Sequence, residues 1–224
     1  MKHQVYRCDR WKAVEGATVG MVSDAPIGPI GNHYDKYGSQ NPVERRMLQG
    51  FLRTLDGMLA PLAPTSVLEI GAGEGEILRR VMDRFPSASV RGIDLPDDDL
   101  PREWESRGVH GEFGDATAMR FADGEFDLVM AIEVLEHIPS PELALREMAR
   151  VCNSTVIFSV PFEPIWRVGN MARGRYFKQF GNTPGHVNHW NRWSFARDVG
   201  RYFDVVEVVS PMPWTMLKAT VRSK

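Results

Sequence analysis

The 224-residue sequence has few cysteines, no long apolar run and no excess of charge of either sign. Its two cysteines, Cys8 and Cys152, are too few for a disulfide framework or a four-cysteine zinc site. No run approaches about 18 apolar residues, and residues 1–10 lack the apolar core of a signal peptide. Because 27 basic residues balance 29 acidic ones, the composition argues against a globally basic nucleic-acid-binding protein. We therefore expect a cytoplasmic protein without a transmembrane helix or a nucleic-acid partner.

Periodic patterns predict the fold class. The length suits one large domain, which we place at 41–224 behind an N-terminal arm or flap at 1–40. Within the domain, patterns typical of strands and helices alternate, as in βαβ units. Strands are predicted at 65–70, 88–95, 109–113, 126–132, 155–160, 205–209 and 216–221, and helices from 42 to before the proline at 61, at 76–85, at 141–151 and at 194–203. Continuous apolar strands suit a parallel sheet covered on both faces, so we expect a doubly wound α/β fold.

The most informative segment is a glycine loop at 71–75, between a predicted strand and a predicted helix. Glycines at 71, 73 and 75 permit positive φ and let a ligand touch the backbone at the carboxyl end of a strand. A phosphate-binding P-loop would need Lys and Ser/Thr after the last glycine, and a dinucleotide fingerprint would need Gly or Ala where Glu76 stands. Glu69 and Glu74 add further negative charge. The loop therefore favours a ligand that carries positive charge.

The run Glu69-Ile-Gly71-Ala-Gly73-Glu-Gly75 resembles motif I of the class I S-adenosylmethionine-dependent methyltransferases, in the small-molecule branch similar to methyltransferase type 11. Three later segments also resemble this family: Asp94 at the end of the second strand, Gly114-Asp115-Ala116 after the third, and 126–138 over the fourth strand and its loop. The resemblance covers about residues 41–221. It implies a seven-stranded sheet with an antiparallel last strand, and S-adenosylmethionine as the methyl donor, with S-adenosylhomocysteine as the product.

The resemblance also implies roles for the matching residues. Asp94 is expected to accept hydrogen bonds from the ribose hydroxyls, Asp115 to bind the adenine amino group, and Glu133 to lie near the methionine part. For Asp94 a helix or turn cap, and for Asp115 an ordinary turn, are the alternatives. Tyr37 lies where related enzymes often close the cofactor site with a tyrosine. The predicted cofactor-binding set is Glu69, Gly71, Ala72, Gly73, Gly75, Asp94, Leu95, Asp115, Ala116, Glu133 and Tyr37.

A long insert at 161–193 is the predicted substrate lid. It contains seven aromatic residues and five basic residues against one acid, Glu163. This composition favours a planar or apolar acceptor, with an anionic group as a further option. The predicted substrate-binding residues are Trp166, Arg175, Tyr176 and Trp190. Two alternatives stay open, namely that the aromatics only pack the insert against the core, or that an amphipathic basic helix rests on a membrane surface.

Histidines of the lid are the candidates for proton transfer. His186 is the first choice for a general base that activates an oxygen nucleophile, followed by His189 and His137, because imidazole titrates near neutral pH. The alternative is a histidine that makes structural hydrogen bonds. No cluster of three ligands is evident from the spacing, so the sequence predicts no metal site.

Together these patterns predict a methyltransferase that acts on a small molecule, at oxygen in the first instance, by in-line displacement. Nitrogen-, carbon- and lipid-directed enzymes remain alternatives. A non-catalytic S-adenosylmethionine-binding protein and a nicotinamide-dependent oxidoreductase are the other readings, and the acidic glycine loop argues against the oxidoreductase.

Overall fold

Seven strands form one sheet in the computed structural model, which describes residues 40–163, 165–172, 182–183 and 185–222. The strands are β1 (Ser66–Ile70), β2 (Ser89–Asp94), β3 (Gly111–Phe113), β4 (Phe126–Ile132), β5 (Cys152–Pro161), β6 (Phe203–Val209) and β7 (Trp214–Val221). Their spatial order is β3-β2-β1-β4-β5-β7-β6. The first five strands pair in parallel, and β7 lies antiparallel to both of its neighbours. The expected doubly wound α/β fold with an antiparallel last strand is confirmed.

Helices cover the sheet, and two of them begin at a side-chain cap. They are α1 (Pro42–Leu59), α2 (Glu76–Arg84), α3 (Leu100–Arg107), α4 (Pro141–Val151), α5 (Ile165–Ala172) and α6 (Arg192–Val199), with one 3-10 turn at Leu135–His137. The side chain of Asn41 accepts from the N–H of Val43 at the start of α1, and Asn191 forms a capping box with Ser194 at the start of α6. Across the described ranges, no helix combines the length and the apolar character that crossing a membrane requires.

Strand β4 shows why apolar residues occupy successive positions in the central strands. Its side chains alternate between the two faces of the sheet. Leu128 and Met130 join the core cluster of Phe51 in α1, whereas Val129 joins the cluster of Leu145 in α4. Because helices cover both faces, the side chains on both faces are buried over residues 128–132.

The strand order places the ligand crevice. β2 and β3 lie on one side of β1, and β4 and β5 lie on the other, so the order reverses between β1 and β4. Ligands of doubly wound sheets bind at this reversal, outside the carboxyl ends of the strands. β1, β2 and β4 end there at Ile70, Asp94 and Ile132. The glycine loop and the residues after β4 therefore meet at one edge of the sheet.

Some predicted bounds were wrong, and two helices were missed. α6 ends at Val199, and the chain turns through residues 200–202 so that Phe203 begins β6 instead of closing a helix. α3 was not predicted because it is polar and buries only Trp104, so its sequence has no periodic apolar stripe. α5 lies inside the predicted lid, where the sequence indicated a helix only under the membrane-surface alternative.

Candidate functional site

The glycine loop is held against the end of β2 by its own backbone. The N–H groups of Gly71 and Ala72 donate to the carbonyl oxygen of Ile93 at 2.8 and 3.0 Å. The N–H of Gly73 donates to Oδ2 of Asp94 at 2.6 Å. These bonds tie β1 to β2 where both strands end, and they leave the loop with a defined shape.

Positive φ angles explain why the loop needs glycine. Gly71, Gly73 and Gly75 have φ of 69°, 51° and 89°, which side chains rarely adopt. A Cβ at Gly71 would lie 2.3 Å from Cγ2 of Val134, whereas a Cβ at Gly73 would meet nothing within 4 Å. The loop is therefore packed tightly beside Val134 and open above Gly73, as a cradle for a ligand would be.

Asp94 lies half-buried at the mouth of this cradle. Oδ2 accepts from Gly73, and Oδ1 accepts from the N–H of Leu95 at 2.7 Å. Burial raises the pKa of Asp94, although both backbone N–H groups act in the opposite direction. Each carboxylate oxygen offers about two acceptor positions, so both retain room for a ligand hydroxyl. The residue thus serves the loop and can still bind a ribose.

The negative charge expected around the loop is partly compensated by one arginine, which the sequence argument did not include. Arg107 of α3 lies 3.0 Å from Glu76 and 3.6 Å from Glu74, and it also pairs with Glu103. Glu69 is buried at 2% exposure at the end of β1. The arginine lies 31 residues beyond Glu76, outside the segment whose charges the sequence argument compared.

Trp104 is a site residue that sequence reasoning missed. Its indole Nε1 donates to the carbonyl oxygen of Gly73 at 2.8 Å. Gly111 of β3 makes room for the ring, since a Cβ there would lie 2.2 Å from the indole. A tryptophan in an otherwise polar stretch, shortly before a glycine in a strand, is the only local signal that could have indicated it.

Glu133 follows β4 in a conformation that is unusual for a non-glycine residue. Its φ is 60°, in the left-handed region. Its N–H donates to the carbonyl oxygen and Oγ of Ser159, both at 3.1 Å, while its Oε1 accepts from Ser159 Oγ at 3.1 Å. Its Oε2 accepts from Nε1 of Trp214 at 2.6 Å. Strained residues of this kind cluster at ligand sites. The sequence did not predict Ser159 and Trp214 as the partners of Glu133.

Asp115 and Ala116 lie after β3 at the same edge of the sheet. Asp115 is exposed, and its Oδ1 accepts from both the N–H and the Oγ1 of Thr117 at 2.7 Å. This is the turn that was considered as the alternative role for Asp115. Ala116 is partly buried against the core cluster. The arrangement leaves the carboxylate facing solvent beside the crevice.

Two of the three candidate histidines come together. The ring centroids of His137 and His186 lie 4.8 Å apart and nearly perpendicular, at 83°. Because a carbonyl oxygen can only accept, the 3.1 Å contact between Nδ1 of His137 and the oxygen of Gly185 places the hydrogen on Nδ1. Burial, followed by the charges of His137 and His189, lowers the pKa of His186 to about 3. His186 is therefore neutral at neutral pH.

His189 and the aromatic residues of the predicted lid lie in different places. His189 is exposed, and its Nε2 lies 2.8 Å from Oδ1 of Asn182 rather than beside His137. Trp166 stacks on His186 at 6.3 Å and contacts Trp214 at 5.9 Å. Trp190 is 9% exposed within the core cluster, as the packing alternative expects. Tyr37, Arg175 and Tyr176 lie outside the described residues.

Comparison with known proteins shows what this chain is similar to. Residues 68–160 match the family model described as a methyltransferase domain. A malonyl-[acyl-carrier protein] O-methyltransferase from Geobacter sulfurreducens is 29% identical over 133 residues, which cover 56% of this chain and 47% of that protein. Ajmaline N-methyltransferase from Rauvolfia serpentina is 30% identical over 98 residues, covering 41% of this chain and 33% of that protein. The match to these curated relatives spans less than half of their length.

Solved structures share the fold. The magnesium protoporphyrin IX methyltransferase of Synechocystis PCC 6803, solved with bound SAH, has a TM-score of 0.63 at 16% identity, and the match covers 84% of this chain and 94% of that one. At this identity the likeness concerns the fold alone. Residues 68–160 therefore resemble a methyltransferase domain, and the chain shares its fold with methyltransferases of known structure.

Proposed function

We propose that this chain transfers a methyl group from S-adenosylmethionine to an oxygen atom of a small-molecule acceptor. The observation that carries the proposal is the glycine loop, whose backbone is tied to Asp94 and whose surface is open above Gly73. The methyltransferase match over residues 68–160 supports it. S-adenosylmethionine contributes a methyl group on a sulfonium, which is a good leaving group.

Residues at the carboxyl ends of β2, β3 and β4 are proposed to hold this cofactor. Asp94 accepts the ribose hydroxyls with the acceptor positions that Gly73 and Leu95 leave available. Asp115 and Ala116 lie beside the adenine. The carboxylate of Glu133, held by Ser159 and Trp214, complements the positive charge of the methionine end.

The remaining predicted cofactor residues fall into two groups. Leu95 and the loop residues at 71, 72, 73 and 75 shape the cradle, and Glu69 is buried behind it. Tyr37 stays a prediction that only the sequence supports. Four strand ends therefore contribute to one proposed site, which matches the place that doubly wound sheets use for ligands.

The acceptor is proposed to approach from the side of His137, His186 and Trp166. Positioning two reactants in line supplies about 7–11 kcal/mol, so the main task of this side is orientation. His137 presents an exposed imidazole ring with its hydrogen on Nδ1, and the stacked Trp166 offers a flat apolar wall. A positioned base adds about 10²–10⁴-fold for an oxygen nucleophile. We assign His189 a supporting role beside Asn182.

A nitrogen acceptor is the second candidate, because one relative with 30% identity is an N-methyltransferase. The two candidates differ in what the acceptor must lose. An aliphatic or phenolic hydroxyl has to give up its proton near the transition state, whereas a neutral amine attacks with its lone pair. The rate of an oxygen acceptor should therefore depend on His137 more strongly than the rate of a nitrogen acceptor.

Calorimetric titration with S-adenosylmethionine, S-adenosylhomocysteine and NADH tests the cofactor. We expect dissociation constants of about 1 µM to 1 mM for the first two and no heat from NADH. Asp94→Ala should weaken binding by about 10-fold or more, since charge-assisted hydrogen bonds contribute about 1.5–3 kcal/mol each. Asp83→Ala is the matched control, because Asp83 is exposed on α2 and pairs only with Arg79 among the contacts described. Binding of NADH alone would overturn the proposal.

A labelled-methyl assay then tests the acceptor. Phenols, carboxylates, hydroxylated aliphatics and amines are offered with cofactor that carries an isotopic methyl group, and products are located by mass spectrometry. Label on an oxygen supports the proposal, and label confined to amines replaces it with the nitrogen-directed alternative. Tight cofactor binding without any labelled product across the panel would favour a non-catalytic binding protein.

A further inference from the structure

Three potential metal ligands meet beside the proposed acceptor side of the site. Glu136 and His137 lie in the 3-10 turn after β4, and His186 follows 49 residues later in the lid. One carboxylate oxygen and one ring nitrogen from each histidine all lie within 4.8 Å of one another. Glu136 and His186 are buried and His137 is exposed, so the cluster is accessible to solvent on the side of His137.

These distances approach those around one ion. Zinc binds histidine nitrogen at about 2.0–2.1 Å and carboxylate oxygen at about 2.0–2.2 Å, so two ligands of one tetrahedral ion lie about 3.3–3.6 Å apart. The widest separation in the cluster, at most 4.8 Å, therefore has to close by about 1.5 Å or less. His137, whose side chain faces solvent, can supply that shift without moving the core.

The hydrogen bonds around His137 match those of a metal-bound histidine. Such histidines almost always donate their second ring N–H to a carbonyl or carboxylate, which fixes the tautomer and points the other nitrogen at the ion. Nδ1 of His137 donates to the carbonyl oxygen of Gly185 at 3.1 Å, which is the kind of bond that a histidine makes when its Nε2 binds a metal ion. Gly185 has φ of 90°, and a Cβ there would lie 3.3 Å from Nδ1 of His137, so a side chain would crowd this contact.

Further hydrogen bonds join the two segments that carry the ligands. The carbonyl oxygen of Glu136 accepts from the N–H groups of Val187 and Asn188 at 2.9 and 3.1 Å. The side chain of Asn188 donates to the carbonyl oxygens of Leu135 and Ile138 at 3.1 and 2.7 Å. These bonds therefore hold the turn after β4 and residues 187–188 together independently of any ion, as a preorganised site requires.

We propose that Glu136, His137 and His186 bind a divalent transition-metal ion and leave a coordination position open toward solvent. Two imidazoles and one carboxylate suit zinc, cobalt, nickel or iron, whereas magnesium and calcium prefer oxygen ligands alone. Three protein ligands and an open position are typical of catalytic rather than structural zinc. This assignment revises the expectation from the sequence that the chain has no metal site.

The open position gives the ion a role next to the acceptor. A metal-bound hydroxyl loses its proton at a much lower pH than a free one, so a bound ion would take the place of His137 as the group that activates the acceptor. That role rests on the proposed function, but binding of the ion does not. The site is therefore tested by metal binding alone, with cofactor binding measured separately on the same preparations.

The test uses the full chain after treatment with a chelator and exhaustive dialysis. Zn²⁺ is titrated by calorimetry, and Co²⁺ is added to read its visible absorption, which reports nitrogen and oxygen coordination. We expect one ion per chain, tighter binding of Zn²⁺ than of Mg²⁺, and a Co²⁺ spectrum that Zn²⁺ abolishes. Absence of Zn²⁺ binding, or tighter binding of Mg²⁺, overturns the assignment.

Variants then identify the ligands. His186→Ala, His137→Ala and Glu136→Gln should each weaken Zn²⁺ binding by about 100-fold or more, beyond the 10–100-fold that is typical for an outer-shell change. His110→Ala, an exposed histidine on the far side of β2, and His189→Ala should leave it unchanged. Circular dichroism and the melting temperature verify folding, and the near-isosteric Glu136→Gln keeps the test valid if an alanine variant does not fold. Equal binding by the ligand variants and the controls would overturn the site, whatever the cofactor titration shows.

Discussion

The indole Nε1 of Trp214 donates a 2.6 Å hydrogen bond to Oε2 of Glu133, and this bond joins β7 to the residue that follows β4. The two residues are 81 positions apart in the chain. Phe51 of α1 packs its ring 5.1 Å from the indole, and Trp166 of the lid packs on it at 5.9 Å. Trp214 is therefore where the core, the lid and the proposed cofactor site meet.

Replacing this tryptophan should test its role as a positioning residue. Trp214→Phe retains most of the packing but removes the donor, so we expect the free energy of unfolding to fall by about 2–3 kcal/mol, through a lost bond to a charged group and a smaller ring. Affinity for S-adenosylmethionine should also fall several-fold, because Glu133 loses the indole donor to its Oε2. Urea denaturation and calorimetry measure both. Trp193→Phe, at a position that is 72% exposed, is the control, and equal effects of the two variants would contradict the assignment.

Glycines of the loop should respond differently to alanine. Gly71→Ala places a methyl group 2.3 Å from Val134 at positive φ, and we expect a loss of at least about 2–3 kcal/mol in the free energy of unfolding. Gly73→Ala has open space, so it should cost only about 1 kcal/mol of strain, yet it should weaken cofactor binding more than 10-fold by filling the cradle.

Gly57→Ala is the matched control for these two changes. Gly57 lies exposed within α1, and a Cβ there meets nothing within 4 Å. Alanine should stabilise this helix by about 0.5–1 kcal/mol without changing cofactor affinity. Denaturation curves and calorimetry on the three variants test the order. Unchanged cofactor binding by Gly73→Ala would show that the space above Gly73 is not used by the ligand.

Asp127 should make stability depend on pH at acid values. Its Oδ2 accepts from Oγ1 and N–H of Thr65, both at 2.7 Å, and its Oδ1 accepts from Asn153 at 3.2 Å. These bonds, the hydroxyl of Thr65 first, lower the pKa of Asp127 to about 2, below its ordinary value of about 3.9. Because the folded pKa is depressed, the stabilisation is present above about pH 4 and is lost as the pH falls toward 2.

The comparison of Asp127→Asn with the unmodified chain measures this contribution. At pH 7 we expect the variant to be less stable by about 1 kcal/mol, a value reduced by the partial exposure of the carboxylate to solvent. The difference should shrink as the pH falls from 4 toward 2 in denaturation experiments. Asp83→Asn, in an exposed pair with Arg79, is the control and should change stability little at any of these pH values. A difference that is independent of pH would contradict the role of the charge.

The two hydrogen bonds of the Asn188 side chain should stabilise the contact between this part of the chain and the turn after β4. Asn188→Ala removes both bonds to the carbonyl oxygens of Leu135 and Ile138, and we expect a loss of about 1–3 kcal/mol in the free energy of unfolding. It should also weaken Zn²⁺ binding by about 10–100-fold, since it positions both halves of the cluster. Asn182→Ala, which removes the contact with His189, is the control for zinc binding. Unchanged zinc affinity in Asn188→Ala would contradict the positioning role.

Much of the fold could be predicted because its signals are local. β4 and α4 have the bounds that the sequence indicated, since an apolar run of strand length and an apolar stripe after Pro141 are complete within a few residues. The glycine loop needs no distant partner to be recognised either. α3 could not be predicted, because it has a single buried residue, Trp104. The burial of that residue depends on the space that Gly111 leaves in strand β3.

The sequence by itself determined the class of the sheet, the glycine loop and the carboxylates Asp94, Asp115 and Glu133 at the strand ends. Only the tertiary structure decided how these groups are partnered: Arg107 on the acidic loop, Trp214 on Glu133, and His186 beside Glu136 and His137. The physical reason is the range of the interactions. Periodicity and turn chemistry act over a few residues, whereas contacts between residues 31, 49 or 81 positions apart depend on strand register and helix packing.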